Sequence, residues 1–477
     1  MHDKQKHVVS IVLNGVSGDS RVIKTAQAAL QAGHRATIVG LSDGPKVERK
    51  KIEGVPVVLV ANHTKRLLRN GLWGGQRRDI RIYVGAFIES AMPEIVSLQP
   101  DLIHSHDMLG LKVGAATVHA CRAAGRSVPW VHDIHEFVAG IRGDLQEQFI
   151  PFLVEWEQEF LSQADHLITV SDALAEEISS RYGVAEPTIT YNAPVLSNFT
   201  EAGPDIRTAS GLDDQVPLVV FVGNASELRG GATIIDAIAK LPHVHLAMLS
   251  GSGPYLDGLT LQAKNAGMQN RLHIHPYVPS DQVTTFIRTG DLGIHALVHY
   301  PNGEVALPNK LFECLQAGLP MVTSDVASMQ AFVETHGVGV SFRASDSASC
   351  AEAIQRLLSS RDRFRNAITA ELKRRYSWEE QQNKIQDIYS GLLARPHVAP
   401  TTVEKARAAK WLDEDRTASE EIEAEFLATL RHSSLLPPVM HSYLYKAKAL
   451  TGIVRKSGGK AAFKTIKNVV KRRLRSG

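Results

Sequence analysis

Apolar and polar positions along the chain repeat one rhythm. A short apolar run, VVSIVLN (8–14), precedes a glycine-containing loop, GVSGDSR. Helical spacing follows in VIKTAQAALQAG (22–33), then a second apolar run, ATIVGL (36–41). Strand, loop, helix, strand is the unit of a parallel sheet. It recurs at DLIHSHD (101–107) with the helix GLKVGAATVHACRAAG, at VPWVHDIHE (128–136), and at HLITVS (166–171) with the helix DALAEEISSRYG. The polar, proline-punctuated stretch NAPVLSNFTEAGPDIRTASGLDDQVP (192–217) reads as a linker. The rhythm restarts with PLVVFVG (217–223), the loop NASELRGG, the helix ATIIDAIAKL and the strand VHLAMLSG. It continues through RLHIHPYV, DQVTTFIRTG, DLGIHALV, NKLFECLQAG and PMVTSD. The pattern predicts an α/β chain of two doubly wound domains, 1–195 and 217–376, with a linker over 196–216. Ligands of such sheets lie at the C-terminal strand ends, so two facing edges would enclose a cleft.

Composition narrows the setting. With 44% hydrophobic and 22% charged residues, the chain is neither fibrous nor disordered overall. Cys121, Cys314 and Cys350 are too dispersed for a disulfide framework or a CxxC zinc site, which favours a reducing cytoplasm. No apolar run reaches the roughly 18 residues of a membrane span, and MHDKQKHVVSIVLNG enters a strand without a signal-peptide pattern. Residues 441–477 carry eleven lysines and arginines and no acid, more than the whole net charge of +3, so the rest of the chain is acidic. Within 394–477, VEKARAAKWLDEDRTASEEIEAEFLATLRH reads as a charged helix. AAFKTIKNVVKRRLRSG spaces Phe463, Ile466, Val469, Val470 and Leu474 helically among the bases. That stripe suits an anionic membrane surface. Nucleic acid could use the same charge and a solvated tail needs no partner, but the apolar stripe favours lipid and no nucleic-acid partner is expected. TKRLLRNGLWGGQRRDIRIYVGAF, with Leu68, Leu72 and Trp73, is a second basic, partly apolar candidate.

The stretch LPNKLFECLQAGLPMV (307–322) carries the first candidate chemistry. Lys310 and Glu313 are three apart and share a helix face, and Gly318 closes the helix. A helix start with free amides suits a phosphate, and Lys310 would add a full charge. Glu313, one turn deeper, is placed for a ribose diol; a solvated surface pair is the plain alternative. In GNASELRGG (223–231), Gly223 and Gly230 with Gly231 allow close backbone approach, and Arg229 between them favours phosphate. His132, Asp133 and His135 could bind a metal with His104, His106 and Asp107, although imidazoles at strand ends are more often simply hydrogen-bonded. Asp19 and Arg21 read as an N-cap and a surface salt-bridge partner, and His295 and His299 as packing or surface residues.

Six of these segments, in order, resemble the family-4-type GT-B glycosyltransferases of the branch with PNKLFEY-like sequences. LPNKLFECLQAGLPMV and VVFVGNASELRGGATIIDAI are similar to its donor domain. DSRVIKTAQAALQAGHRATIVG, PDLIHSHD, PWVHDIHE and ADHLITVSDALAEEI are similar to its acceptor domain. RRYSWEEQQNKIQDIYSGLL resembles its closing helix, placed here at 377–393. The resemblance covers about residues 7–393 and stops before the helical, basic extension. It implies a GT-B fold with an N-terminal acceptor domain and a C-terminal domain for the nucleotide of a nucleoside diphosphate sugar, a UDP-sugar being the first candidate. No bound cofactor or metal is implied.

By position, the resemblance assigns Gly223, Asn224, Arg229, Gly230, Lys310 and Glu313 to the donor, with Arg229 and Lys310 on the diphosphate. It assigns His135 to the sugar or leaving-group side, and Asp133, Glu136, Gly15 and Gly18 to the acceptor side. The family often has two glutamates separated by seven residues. Glu313 matches the second, but Val305 stands at the first. Glu304, or amides of the loop HYPNGEVALP, would then meet the sugar. The implied activity is sugar transfer, with retention, to a glycan or lipid-linked envelope acceptor, as in polysaccharide biosynthesis. The implied location is cytoplasmic, peripheral on the inner face of the cell membrane. A nucleotide-sugar epimerase or phosphorylase, and a noncatalytic nucleotide-sugar-binding scaffold, are the alternatives.

Overall fold

The computed structural model describes residues 5–61, 80–142, 147–396 and 398–431. The basic stretches 62–79 and 441–477 lie outside the described residues. The first sheet has eight strands: β1 (His7–Ile11), β2 (Arg35–Ser42), β3 (Glu48–Ile52), β4 (Val55–Ala61), β5 (Leu102–His106), β6 (Trp130–Ile134), β7 (His166–Thr169) and β8 (Thr188–Ile189). Their order is β3-β4-β2-β1-β5-β6-β7-β8. All neighbours are parallel except β3 and β4, a hairpin that turns at Glu53 and Gly54, both with positive φ. The second sheet contains β9 (Leu218–Val222), β10 (His245–Leu249), β11 (Leu272–His275), β12 (Leu292–His295), β13 (Met321–Ser324) and β14 (Gly339–Phe342). It is wholly parallel, in the order β11-β10-β9-β12-β13-β14.

Central strands such as β1, β5, β6 and β9 are buried along their whole length, which is why they appear in the sequence as apolar runs. Each sheet packs helices on both faces. The order of winding reverses between β1 and β5 in the first sheet and between β9 and β12 in the second, and these are the two places where such folds bind ligands.

Both sheets belong to one compact unit ending at Leu412. The helix Trp378–Leu393 packs Trp378, Ile385, Tyr389 and Leu392 into the core of the first sheet, against the helix Ser20–Gln31. The second half of the linker-like stretch is not a free connection. Ile206 and Arg207 are buried, and Arg207 pairs with Asp291 at 2.8 Å. The helix Thr402–Arg431 begins in the same unit, where Trp411 stacks on His119 at 4.3 Å between ring centroids. From Asp413 onward a second unit begins, and there the helix carries its own ion pairs from Arg416 to Asp413 and Glu420. No described helix is long and apolar enough to cross a membrane.

Candidate active site

At the switch point of the second sheet, Gly223 directly follows β9 with φ of 134°, a conformation that favours glycine. A Cβ there would lie 2.7 Å from Arg229 Nη1 and 3.9 Å from Lys310 Cε, so both cations overhang this backbone. Arg229 ends a single 3-10 turn, and Gly230, φ 62°, starts the helix Gly231–Ala239. Gly230 touches the carbonyl of Ala296 past β12 so closely that no side chain could replace its hydrogen. His295, buried between the same elements, is pushed down to about 3 by burial and then by Lys310 and Arg229, and it stays neutral.

Lys310 lies in the first turn of the helix Asn309–Ala317, with Pro308 at the N-cap and Gly318 closing in the left-handed conformation. Its Nζ pairs with Glu313 Oε1 at 2.9 Å, and Glu313 Oε2 is enclosed with no hydrogen-bond partner. The two residues therefore form a pair beside Gly223. Asn224 is exposed next to Gly251, and the half-exposed ring of Tyr277 covers that glycine, 3.1 Å from where its Cβ would sit. Tyr277 was not legible as a site residue, its one signal in the sequence being an aromatic just past the strand run RLHIH.

The switch point of the first sheet holds the remaining candidates. Val16, in the loop after β1, and Asp107, after β5, both have φ of 66° without being glycine. Strain at a β-branched residue such as Val16 is tolerated where packing enforces it and often marks function. Gly15 and Gly18 lie in the same loop, Gly18 with open space above it and Gly15 facing the Leu41 carbonyl, 3.9 Å from where its Cβ would sit. Asp19 caps the helix Ser20–Gln31 through Val22 N, as its sequence position suggests.

Arg21 overturns the surface reading. It is buried, and its Nε and Nη2 each donate to Asp133 at 2.7 Å, while the guanidinium also holds Thr190. Asp133 is accordingly buried with both oxygens engaged, which does not fit direct contact with an acceptor. Burial alone would raise its carboxyl, but Arg21, then His135 and His106, hold it well below the usual range. His106 Nδ1 lies 3.2 Å and His135 Nε2 3.4 Å from Asp133 Oδ2. Burial opposes a charged His135 ring, yet Asp133 and Asp107 raise it above its ordinary value. His104, within reach of Tyr389 at 2.7 Å, is driven well down by burial, and His132 falls to about 3 for the same reason.

His104, His106 and Asp133 bring potential ligand atoms within 4.8 Å of one another, the one such group among the described residues. The donor set fits a metal poorly: both Asp133 oxygens are taken by Arg21, whose charge already compensates the carboxylate. His132 instead faces Ser105 at 2.9 Å.

Glu304 is drawn into its own domain. His299 Nδ1 lies 2.6 Å from Oε1, and the Ala327 N–H donates to Oε2 at 2.8 Å. His299 also reaches Asp325 at 3.0 Å, which makes it a bridge between two carboxylates. The two halves meet around Tyr300. Burial raises its hydroxyl, Glu136 of the first half raises it further, and Arg229 of the second lowers it.

Residues 204–375 match the family Glycosyl transferases group 1, and residues 19–193 match Glycosyltransferase Family 4. This chain belongs to the family-4-type glycosyltransferases. The enzyme is 26% identical over 301 residues to an uncharacterized glycosyltransferase of Methanocaldococcus jannaschii, covering 61% of this chain and 75% of that one. It is 25% identical over 408 residues to a D-inositol 3-phosphate glycosyltransferase of Nocardia farcinica, covering 81% and 87%. Its fold is GT-B, like that of sucrose-phosphate synthase from Thermosynechococcus elongatus (TM-score 0.67, 17% identity, 82% of this chain, all of that one). Anabaena HepE in complex with UDP-glucose shares the fold at a TM-score of 0.60, 17% identity, over 81% of this chain and 99% of that one.

Proposed function

We propose that this glycosyltransferase moves a sugar from a UDP-sugar to a glycan or lipid-linked envelope acceptor with retention of anomeric configuration. The convergence of Arg229 and Lys310 over Gly223 carries this reading. A diphosphate at that backbone meets two cations and the first amides of the helix Asn309–Ala317, so charge developing on the leaving group is stabilised by fixed donors. As Lys310 turns to the phosphate, Glu313 is released to accept from a ribose diol. The exposed Tyr277 ring beside Asn224 suits a nucleobase.

Across the cleft, His135, held by Asp133, and Glu136 face the sugar and the acceptor. In the transfer, the acceptor oxygen bonds to the anomeric carbon as the bond from that carbon to the diphosphate oxygen breaks. The acceptor proton passes to the departing phosphate on the same face. The protein contributes position and charge compensation. The basic segment 441–477 would keep the enzyme at an anionic membrane where a lipid-linked acceptor resides; its deletion should abolish flotation with anionic liposomes, and unchanged flotation would remove that part of the reading.

Calorimetric titration with UDP, GDP, ADP and dTDP, with and without magnesium, tests the donor half, with Lys310→Ala as control. Selective binding of UDP that is lost in the control supports the assignment. Binding with no turnover against a broad acceptor panel would favour a noncatalytic nucleotide-sugar-binding protein.

A further inference from the structure

We propose that Asn302 is a positioning residue that fixes the His135–Glu136 stretch of the first domain over the donor site of the second. It does so from a clasp formed by the short helix Pro301–Val305. The inference rests on the reading above that those two residues face the donor sugar.

The clasp is anchored in the second domain. Glu304 binds His299 and the Ala327 N–H, and Ser328 Oγ donates to Ala306 O at 2.9 Å. From that anchor the helix reaches across. Asn302 Oδ1 accepts the Phe137 N–H at 2.8 Å, and Phe137 is the residue directly after Glu136. Ser171 Oγ of the first domain donates to Val305 O at 2.5 Å. The Val305 side chain packs against the hydrophobic core of the first domain, not into the cleft. Gly140 makes the fit possible, since a Cβ there would lie 2.6 Å from Asn302 N.

Val305 stands where the family pattern offers a glutamate. Its surroundings explain the exchange, because a carboxylate pressed into an apolar core would be uncompensated. An apolar anchor stands where the family pattern has the acidic contact, and the same segment carries Tyr300, whose hydroxyl feels the opposing charges of Glu136 and Arg229. Asn302 is itself 8% exposed, so water does not readily substitute for its oxygen.

Hydrogen exchange of the Phe137 amide, followed by mass spectrometry on the peptide spanning it, tests the clasp without knowledge of donor or acceptor. The amide should be protected in the wild type and exchange roughly ten- to hundredfold faster in Asn302→Ala, the range for losing a buried hydrogen-bond partner. Asn302→Asp, whose carboxylate can accept the same N–H, should restore most of the protection. UDP affinity should stay within about twofold in all three proteins, because the Asn302 side chain bonds Phe137 of the first domain and not Arg229, Lys310 or Glu313. Where a turned-over donor is known, kcat should fall in Asn302→Ala and recover in Asn302→Asp, with little change in KM. Fast exchange in the wild type, equal protection in Asn302→Ala, or failure of Asn302→Asp to restore it overturns the proposal. Should Asn302→Ala not fold, Ser171→Ala breaks the adjoining bond and is read at the same amide. Absence of UDP binding to the wild type would refute the donor-site reading while leaving the exchange result to decide the clasp.

Discussion

Replacing Arg21 by methionine isolates the electrostatics beneath the cleft. The change keeps much of the side-chain volume and removes two hydrogen bonds of 2.7 Å to a carboxylate that is 1% exposed. Removing one partner of a buried ion pair typically costs 3–5 kcal/mol. His106 and His135 remain at 3.2 and 3.4 Å and can share the charge, so a loss near the lower end, about 3 kcal/mol, is expected. The pH dependence gives the sharper test. In the wild type the depressed Asp133 carboxyl contributes stability that is fully present above its unfolded value near 3.9. That stability is lost only as pH falls through the lower folded value. In the variant, burial without the guanidinium raises the carboxyl, so the contribution is present at low pH and lost as pH rises. The gap between the two proteins should therefore widen from about pH 4 upward and level off near neutrality. Urea titrations at pH 5 and pH 8 would show it. Trp130, Trp156 and Trp378 pack in or against this domain, so tryptophan fluorescence reports its unfolding. With a slope of roughly 2–3 kcal/mol/M, the midpoint should drop by about 1 M at pH 8 and by less at pH 5. Arg21→Met combined with Asp133→Leu should recover most of the loss. Equal midpoints, a gap independent of pH, or no recovery in the double variant would refute the reasoning.

Gly223→Ala should weaken UDP binding by about tenfold or more, because its Cβ would strike Arg229 Nη1 and φ of 134° is unfavourable for alanine; calorimetry reads it. Lys310→Ala and Glu313→Ala should each lower UDP affinity by roughly ten- to hundredfold, as for hydrogen bonds to charged groups, with unchanged circular dichroism. Trp411→Ala removes the stack on His119 and the edge contact to Phe160, and thermal melting should show about 2 kcal/mol lost from the first domain. His299 is raised by its hydrogen bond to Glu304 and by Asp325, so its contribution is present below about 6.5 and lost as pH rises through the raised value. Exchange at residues 302–305 should therefore quicken above the intrinsic rate between pH 6 and pH 9, and His299→Gln should abolish that extra dependence.

The parts of the fold legible in the sequence were those whose strands are buried on both faces. VVFV and LIHSH are apolar or small throughout because helices cover them above and below. The edge strand β3 escaped because ERKKI is exposed with no apolar face to show, whereas its partner β4, VPVVLVA, carried a buried-strand signal that the repeated unit left out because it pairs in a hairpin with β3. At the site, residues close in sequence were legible: Gly223, Arg229 and Gly230 in one loop, and Lys310 with Glu313 on one helix turn. Arg21 was not, because its partner lies 112 residues away and only the adjacency of β1, β5 and β6 joins them. Asn302 and Ser171 were hidden for the same reason, since each acts on the other half of the chain. Glu304 looked available for the sugar because nothing local reveals that Ala327, 23 residues later, presents its N–H to it.

The two halves are joined by contacts of two kinds, and their strengths suggest how the cleft opens. On one side the chain crosses over covalently. Lys24, buried and lowered to about 7 by burial and by Arg21, donates to Ala193 O and Asn192 and lies 4.6 Å from the Trp378 ring. Those contacts sit where the connecting chain itself limits movement. The clasp has no covalent link, so relative motion of the domains must break it. Its opening exposes the partly buried Val305, worth about 1 kcal/mol, and releases two hydrogen bonds worth about 1 kcal/mol each. A total near 3 kcal/mol corresponds to an open fraction on the order of 0.01. That fraction keeps water from a bound donor most of the time, yet interdomain motions on the microsecond-to-millisecond scale are fast enough to admit substrate between turnovers. On the proposed assignment of the site, a much weaker clasp would leave His135 and Glu136 out of register with Arg229 and Lys310 for much of each cycle, and a much stronger one would make product release limiting.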